Sequence, residues 1–275
     1  MSIEYPEARI LAKQLDETIK SRRIESYDLK DYEKLIRIGF INKNLDDFNQ
    51  LVDRSVEGAG SSGNTIRVKL DGGMNLILAP EYGGVVLYHS NGEEARHHLR
   101  VDFASGESLT VRLTSMGLVY AARDEQLPGL YMYKRDYLGA PNPLDLTEEQ
   151  FRKLVTSQRT QLKPILVGKD AVVTGLSNSA FQDIIWRAGI HPHRKASELT
   201  PTQAYALYPA MRGLVEERLH LGGKDEFIDL FGKQGGYTPK MGPSMKDTEC
   251  PRCGVKVEKM AHGGGQVYYC PGCQK

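Results

Sequence analysis

Residues 161–194, QLKPILVGKDAVVTGLSNSAFQDIIWRAGIHPHR, decide the fold. Apolar residues recur at helical spacing over 179–188, so a helix is predicted there. Asn178 lies immediately before it, at the position of a helix N-cap. The backbone N–H groups and the dipole of a helix N-terminus form a ready anion site. The helix start at Asn178 is therefore a candidate anion site, and a plain helix cap is the alternative interpretation of Asn178 itself.

The four cysteines all lie in the last 26 residues, as two C-x2-C pairs with sixteen residues between them. Each pair can place two thiolates on one tight turn, and two such turns complete a tetrahedral zinc site. Two disulfides are the competing interpretation, but a cytosolic compartment keeps thiols reduced. Four thiolates leave no open coordination position, so the expected Zn²⁺ is structural. The predicted ligands are Cys250, Cys253, Cys270 and Cys273.

Residues 254–269, between the two pairs, alternate apolar and polar side chains on both sides of a glycine-rich centre. This pattern is typical of a β-hairpin with a flexible tip. His262 is interpreted as a loop residue at that tip rather than as a fifth metal ligand.

The rest of the chain divides into a β-rich part and a helical part. A helix is predicted over 7–20, with Pro6 at its start, and a polar glycine-rich loop over 53–65. Short apolar runs and turns between Ile66 and about Tyr120 indicate the antiparallel strands of a β-sandwich. Helical patterns follow at 147–157, 179–188 and 202–220, with a shorter one near 225–231 and a linker over 232–248.

The predicted fold class is therefore α+β. It combines an N-terminal helix and antiparallel β-sandwich (1–135), a helical domain (136–245) and a C-terminal four-cysteine zinc β-hairpin (246–275).

Composition and charge favour a cytoplasmic protein. No apolar run approaches the roughly 20 residues of a membrane helix, and residues 10–20 carry too much charge for a signal peptide. Residues 148–275 contain 18 Lys and Arg against 13 Asp and Glu, whereas the preceding residues contain 18 against 22. A basic C-terminal half is compatible with phosphate binding, although an accidental imbalance on solvated surfaces is an equal alternative.

Segment 161–194 resembles the helix–two-turn–helix segment of the Fpg/Nei family, the formamidopyrimidine-DNA glycosylases and endonucleases VIII. In that family segment, a helix containing Lys-Pro is followed by a turn containing Gly and Asn and then by a second helix. The segment ends in the motif A-G-I-H-P-x-R. The ending CPGCQK at 270–275 and the L-G…P-L phrase at 138–144 are similar as well. The order of sandwich, helical domain and four-cysteine hairpin extends the resemblance over the whole chain.

The resemblance implies a monomer of the bacterial cytosol or nucleoid that binds duplex DNA and excises a damaged or modified base. Asn178 would hold a backbone phosphate near the lesion, with Lys163 as its cationic companion. His191 and His193 lie in the matched turn and are expected to be structural.

The N-terminus departs from the family pattern, which resembles M-P-E-G-P-E and uses the exposed proline amine to attack the sugar C1′. This chain begins MSIEYPE, which aligns Glu4 and Glu7 with the family's two glutamates and Ile3 with its proline. The Ile3 nitrogen is an amide and cannot be a nucleophile. The α-amine of Ser2, once Met1 is removed, has a pKa of about 8 but lies roughly 3.5 Å beyond the usual place. The candidate catalytic residues are Glu4, Ser2 and Glu7, with a salt-bridged helix start as the alternative for the glutamates.

Other family residues are also replaced. Asn64 stands in the place of the sandwich lysine, and Gly265 in that of an arginine near the hairpin tip. The family inserts a Met, an Arg and a Phe into the space that the flipped nucleotide leaves in the duplex, and these three align with Tyr82, Thr114 and Met116. The alignment predicts that Tyr82 and Met116 still act as bulky wedges and that the arginine is lost at Thr114.

Three functions fit these residues. The favoured one is a divergent DNA glycosylase in which Glu4 acts as acid–base or activates water. AP-lyase activity has the least support, since strand cleavage depends on the covalent imine. The second is a catalytically silent nucleic-acid sensor or scaffold, motivated by the joint loss of the proline, the lysine and two arginines. The third is a zinc-stabilised interaction module without a nucleic-acid role.

Overall fold

The computed structural model describes residues 3–81, 83–91, 95–114, 117–168 and 170–275. The chain forms two compact units, one of Met1–Leu138 with Leu221–Gly236 and one of Gly139–His220 with Tyr237–Lys275. The three-domain division at 135/136 and 245/246 stays a prediction. Within the described ranges, no helix is both long and apolar enough to cross a bilayer.

The first unit is built on two four-stranded antiparallel sheets. One sheet contains, in spatial order, β1 (Ile24–Leu29), β6 (Leu99–Phe103), β7 (Ser108–Arg112) and β5 (Val85–His89). The other contains β2 (Val56–Ser62), β3 (Thr65–Leu70), β4 (Met74–Ala79) and β8 (Leu118–Arg123). Its helices are α1 (Tyr5–Ile19), α2 (Tyr32–Ile38) and α3 (Tyr131–Tyr137).

The core of this unit lies between the two sheets. Alternate residues of a strand face the same side, and side chains such as Val68 and Leu76 of one sheet share a buried cluster with Val101 of the other. Strand β4 is buried along its whole length because its opposite face, with Ile77, packs against Met132 in a second cluster. The predicted α+β class with an N-terminal sandwich is confirmed.

The predicted loop over 53–65 is wrong, because most of it forms strand β2. Gly58 lies against α1, where a Cβ atom would be only 2.8 Å from the Asp16 carboxylate. That carboxylate accepts a 2.8 Å hydrogen bond from the Ala59 N–H. Close packing of α1 on β2 therefore requires a glycine at position 58. The glycine-rich composition of β2 is typical of a loop, which is why the sequence did not predict a strand there.

The predicted short helix near 225–231 is also wrong. This stretch belongs to a loop over 221–236 that is held by turn hydrogen bonds rather than by helical ones. The Gly236 N–H donates to the Leu221 carbonyl at 2.8 Å, and the Gly235 N–H to the Phe227 carbonyl at 2.9 Å.

In the described residues of the second unit, four α-helices accompany the C-terminal hairpin. These elements are α4 (Glu148–Thr156), α5 (Leu162–Val167), α6 (Asn178–Arg187), α7 (Pro201–His220), β9 (Glu258–His262) and β10 (Gly265–Tyr269). Helix α6 begins one residue earlier than predicted, because the Ser177 side chain caps it by accepting from the Ser179 N–H. Asn178 is thus the first helical residue and not the N-cap.

A buried carboxylate joins α6 to the segment that follows residue 236. Asp183 is 1% exposed. It accepts hydrogen bonds from the Tyr237 hydroxyl at 2.5 Å, the Lys240 N–H at 2.8 Å and the Arg187 guanidinium at 2.7 Å. The charge is therefore compensated, as a buried carboxylate requires.

Candidate functional site

The start of α1 buries both predicted catalytic glutamates. Glu4 is 1% and Glu7 0% exposed. The Glu7 carboxylate accepts one hydrogen bond from the Glu4 N–H at 3.0 Å and another from the Lys224 N–H at 3.1 Å. Glu7 therefore caps the helix start and also ties it to the 221–236 loop, a link that the sequence did not reveal.

A cavity of about 250 Å³ opens beside this helix start. Its wall includes Ile3, at the position of the family's proline, together with Glu7, Arg112, Lys224 and Phe227. This volume is near the lower end for small-molecule pockets, roughly 300 Å³. Apolar and charged groups thus converge on a space suited to one small ring system rather than to a large ligand.

A polar cluster surrounds Asn64, the residue that replaces the sandwich lysine. Its amide donates to the Glu81 carboxylate at 2.8 Å, and the Arg135 guanidinium donates to its carbonyl oxygen. Arg135 is also held by Asp136 at 2.6 and 2.7 Å. Burial raises the pKa of Glu81. Arg135 thus places a positive charge beside Asn64, and Asp136 offsets that charge. Because Arg135 lies 71 residues from Asn64 in the chain, no local sequence pattern predicted this contact.

Lys163 and Asn178, the predicted phosphate ligands, both contact the hairpin tip. The Lys163 Nζ atom donates to the His262 carbonyl at 2.6 Å, and the Asn178 amide donates to the Gln266 carbonyl at 2.9 Å. A Cβ atom on Gly265 would lie 3.5 Å from Lys163 Nζ, which is ordinary van der Waals contact. Burial lowers the pKa of Lys163.

The same region has unused hydrogen-bonding capacity. The buried Oδ1 atom of Asn178 has no hydrogen-bond partner within the described part of the chain. Residues 261–266 line a surface depression of about 300 Å³ at the tip. Lys163 has two further donor hydrogens beyond its bond to His262. The structure thus brings these two predicted ligands to one place beside an open concavity.

The four cysteines converge as predicted. Their Sγ atoms all lie within 4.8 Å of one another. The separations include 3.8 Å for Cys250–Cys273 and 3.4 Å for Cys253–Cys270, far longer than the roughly 2.05 Å of a disulfide bond. All four are free thiols, so this cluster could hold a metal ion.

The hydrogen-bond environment of the cluster favours thiolate at one position. The Trp186 indole N–H donates to Cys250 Sγ at 3.4 Å. Burial raises the pKa of the Cys250 thiol, but this bond and those from the backbone of Arg252 and Cys253 outweigh it and lower the pKa to about 6.

Three histidines of the second unit, His191, His193 and His262, pack together through their rings. His262 ends strand β9 and is 6% exposed, so the prediction of a loop residue is wrong. Its ring lies 4.7 Å from that of His193, and the His191 ring lies 5.1 Å from that of Tyr269. Packing of the His262 ring against the rings of Phe181 and His193 accounts for its burial.

Three sequence candidates, Ser2, Tyr82 and Met116, lie outside the described residues. Thr114, aligned with the lost arginine, donates its hydroxyl to the Glu81 carbonyl at 2.9 Å.

Two family models match this chain. The formamidopyrimidine-DNA glycosylase N-terminal domain matches residues 3–115, and the formamidopyrimidine-DNA glycosylase H2TH domain matches residues 138–227. A protein named formamidopyrimidine-DNA glycosylase from Pelotomaculum thermopropionicum is 28% identical to this chain, over 99% of this chain and 99% of its own length. A protein of the same name from Streptococcus pneumoniae is 25% identical, over 99% of this chain and 98% of its own length.

Solved structures share the fold over the whole chain. The Lactococcus lactis Fpg in complex with DNA containing an abasic site has a TM-score of 0.83 at 21% identity, covering 99% of both chains. A MutM complex with DNA containing carbocyclic 8-oxo-G has a TM-score of 0.83 at 22% identity, with the same coverage. Together with the family models that span residues 3–115 and 138–227, these likenesses show that the chain belongs to the Fpg/Nei family of formamidopyrimidine-DNA glycosylases.

Proposed function

We propose that this chain is a DNA glycosylase of base excision repair, which binds duplex DNA and excises a damaged or modified base. The observation that carries the proposal is the buried Glu4–Glu7 helix start beside a cavity of about 250 Å³. The names of the full-length relatives support the same activity. They do not favour a catalytically silent descendant.

In this proposal the target nucleotide is flipped out of the duplex, and its base enters the cavity lined by Ile3 and Phe227. Glu4 transfers the proton that the departing base requires, or activates the attacking water. Glu7 keeps the helix start in place through its bonds to Glu4 and to residue 224. The Ser2 amine is the nucleophile that the sequence suggests.

The test is base release from duplexes that carry 8-oxoguanine, a formamidopyrimidine or an oxidised pyrimidine. We expect release from at least one of them, and a fall of about 10²- to 10⁴-fold in Glu4→Gln with duplex affinity retained. Glu17→Gln is the matched control, because Glu17 lies on the same helix with its side chain 63% exposed. Turnover that is equal in Glu4→Gln and wild type would remove Glu4 from the mechanism. No release from any substrate would contradict the activity.

The tip of the hairpin is proposed as the phosphate-binding part of the DNA site. Lys163 and Asn178 each donate a hydrogen bond to a residue that lines the tip depression, and Asn178 retains an unused buried oxygen. Tyr82 and Met116 are proposed as the wedges that fill the space left by the flipped nucleotide, on the alignment alone. Ala substitution of either wedge should weaken binding to lesion duplex more than to intact duplex.

We further propose that the four cysteines bind one structural Zn²⁺ ion. Tetrahedral coordination at a Zn–S distance of about 2.3 Å places sulfur atoms about 3.8 Å apart, close to the separations in the cluster. Elemental analysis should find one zinc per chain, and Cys253→Ser should lose it. A metal-free protein of unchanged stability would contradict this role. The protein is proposed to act as a cytoplasmic monomer, where thiols stay reduced.

A further inference from the structure

We propose that the side-chain amine of Lys224 is the nucleophile that replaces the missing N-terminal proline. This inference rests on the proposed glycosylase function and identifies the group that would attack the sugar. The sequence pattern indicates the Ser2 α-amine for this role. The structure adds to the wall of the cavity beside α1 a second residue that carries an amine, Lys224.

Lys224 lies in the wall of the cavity beside the start of α1. Lys224 lines the cavity together with Ile3, the residue aligned with the family's proline, and is only 2% exposed. Its backbone N–H donates to the Glu7 carboxylate at 3.1 Å, across 217 residues of sequence. A lysine is therefore held in the wall of the cavity that Ile3 and Glu7 also line.

Two glycines make this placement possible. Gly223 has φ +94°, and a Cβ atom there would lie 2.6 Å from the Phe227 ring and 3.2 Å from Glu7 Cγ. A Cβ atom on Gly235 would lie 2.2 Å from the Lys224 carbonyl oxygen. Larger residues at either position would push residue 224 away from the helix start, so the local backbone is shaped to bring it there.

The loop that carries Lys224 is anchored on the sandwich. Gln14 of α1 donates to the Asp229 carboxylate at 2.9 Å and accepts from the Leu230 N–H at 3.1 Å. The Tyr88 N–H of β5 donates to the Leu230 carbonyl at 2.9 Å. A catalytic group must be held in a defined place by its supporting contacts, and these bonds provide that support.

The other polar side chains of the cavity cannot do this chemistry. Arg112 lines it too, but a guanidinium is not deprotonated in proteins. Glu7 and Glu226 supply carboxylates, which form no imine. Among the described residues that line the cavity, Lys224 is the one with a primary amine.

The step is an ordinary amine displacement. The Lys224 Nζ lone pair forms a bond to C1′ while the C1′–N bond to the base breaks, and the base leaves with that electron pair. The C1′–O4′ bond then opens to give an iminium. For this attack the Lys224 ammonium group first gives one proton to solvent, and one of the two protons left on the amine stays on the iminium nitrogen. The other, with one proton delivered by Glu4, protonates the departing base and O4′.

Borohydride trapping on duplexes that carry an abasic site or the excised lesion tests this assignment. Borohydride reduces the iminium to a stable secondary amine, and peptide mass spectrometry of the wild-type adduct then locates it. We expect the adduct on the peptide that contains Lys224. Lys224→Met and Lys224→Arg should each lose at least about a hundredfold in trapping yield, and Lys224→Arg should retain duplex binding. The control is Lys233→Met, an exposed lysine of the same loop. Wild-type protein with an acetylated N-terminal amine should still be trapped.

The remaining outcomes separate this inference from the proposed function. An adduct on the N-terminal peptide, or trapping that survives in Lys224→Arg, would overturn the role of Lys224. Base release without any adduct would overturn it as well and leave a water-using glycosylase. Neither adduct nor base release on any substrate would overturn both. The peptide map of the wild type gives the answer even where a variant fails to fold.

Discussion

The Nζ atom of Lys163 donates a 2.6 Å hydrogen bond to the backbone carbonyl of His262. This bond joins helix α5 to the tip of the cysteine-bearing hairpin. The residue proposed to bind phosphate is thus also one that docks the hairpin. Hairpin position and phosphate binding should therefore change together when Lys163 is altered.

Lys163→Met should weaken duplex binding and loosen the hairpin. Removal of one phosphate contact should reduce the slope of log affinity against log salt by about 1. Loss of the bond to His262 should lower the free energy of unfolding by about 1 kcal/mol. Fluorescence anisotropy across a salt series and denaturant unfolding measure the two effects. Lys153→Met, an exposed lysine of the same unit, is the control, and an unchanged salt slope in Lys163→Met would contradict the phosphate role.

His262 should make the protein less stable as the pH falls from about 6.5 to about 4. Burial, with the positive charges of His193, Lys163 and His191, lowers its pKa to about 4 from the ordinary 6.5. In this window the unfolded chain binds a proton at His262 that the folded chain does not bind, so acid favours unfolding. Above about pH 6.5 neither state binds that proton, and the contribution is constant.

The variant His262→Gln isolates this contribution from the titration of the thiols. Denaturant unfolding at pH 7 and at pH 5 should show a smaller loss of stability in the variant than in the wild type. Equal losses in the two proteins would show that His262 is not the group responsible.

Asp183→Ala should destabilise the second unit by about 3–5 kcal/mol, because it leaves the buried Tyr237 hydroxyl and the Arg187 guanidinium without their shared partner. The control is Glu216→Gln, whose pair with Arg212 is about half exposed and should contribute under about 1 kcal/mol. The midpoint of denaturant unfolding measures both. A similar small change in the two variants would mean that the Asp183 network contributes little to stability.

Gly58→Ala should lower the free energy of unfolding by about 1–3 kcal/mol, since the added methyl group must displace the Asp16 carboxylate from its bond to Ala59. Gly60, two residues along the same strand, has open space where a Cβ atom would stand. Gly60→Ala should therefore be close to neutral. Equal effects on the melting temperature would mean that the packing of α1 on β2 tolerates the methyl group.

The sequence predicted those elements whose pattern is local. Strands β3 to β8 have alternating or continuous apolar runs bounded by turn residues, and α4, α6 and α7 have helical apolar spacing. Strand β2 was missed because its glycines and serines resemble a loop, and only its contact with Asp16 explains them. The false helix near 225–231 has the opposite cause, since apolar residues that anchor a loop imitate helical spacing.

The four-thiolate cluster, the order of the structural parts and the family follow from the sequence alone, because each C-x2-C pair is local and the 161–194 motif is continuous. The tertiary structure was needed to show which distant groups meet at the cavity and in the polar cluster around Asn64. Lys224 lies 217 residues from Glu7, and Arg135 lies 71 residues from Asn64. No local pattern encodes such pairs, because they depend on how the sheets and the 221–236 loop pack, which is a property of the folded chain as a whole.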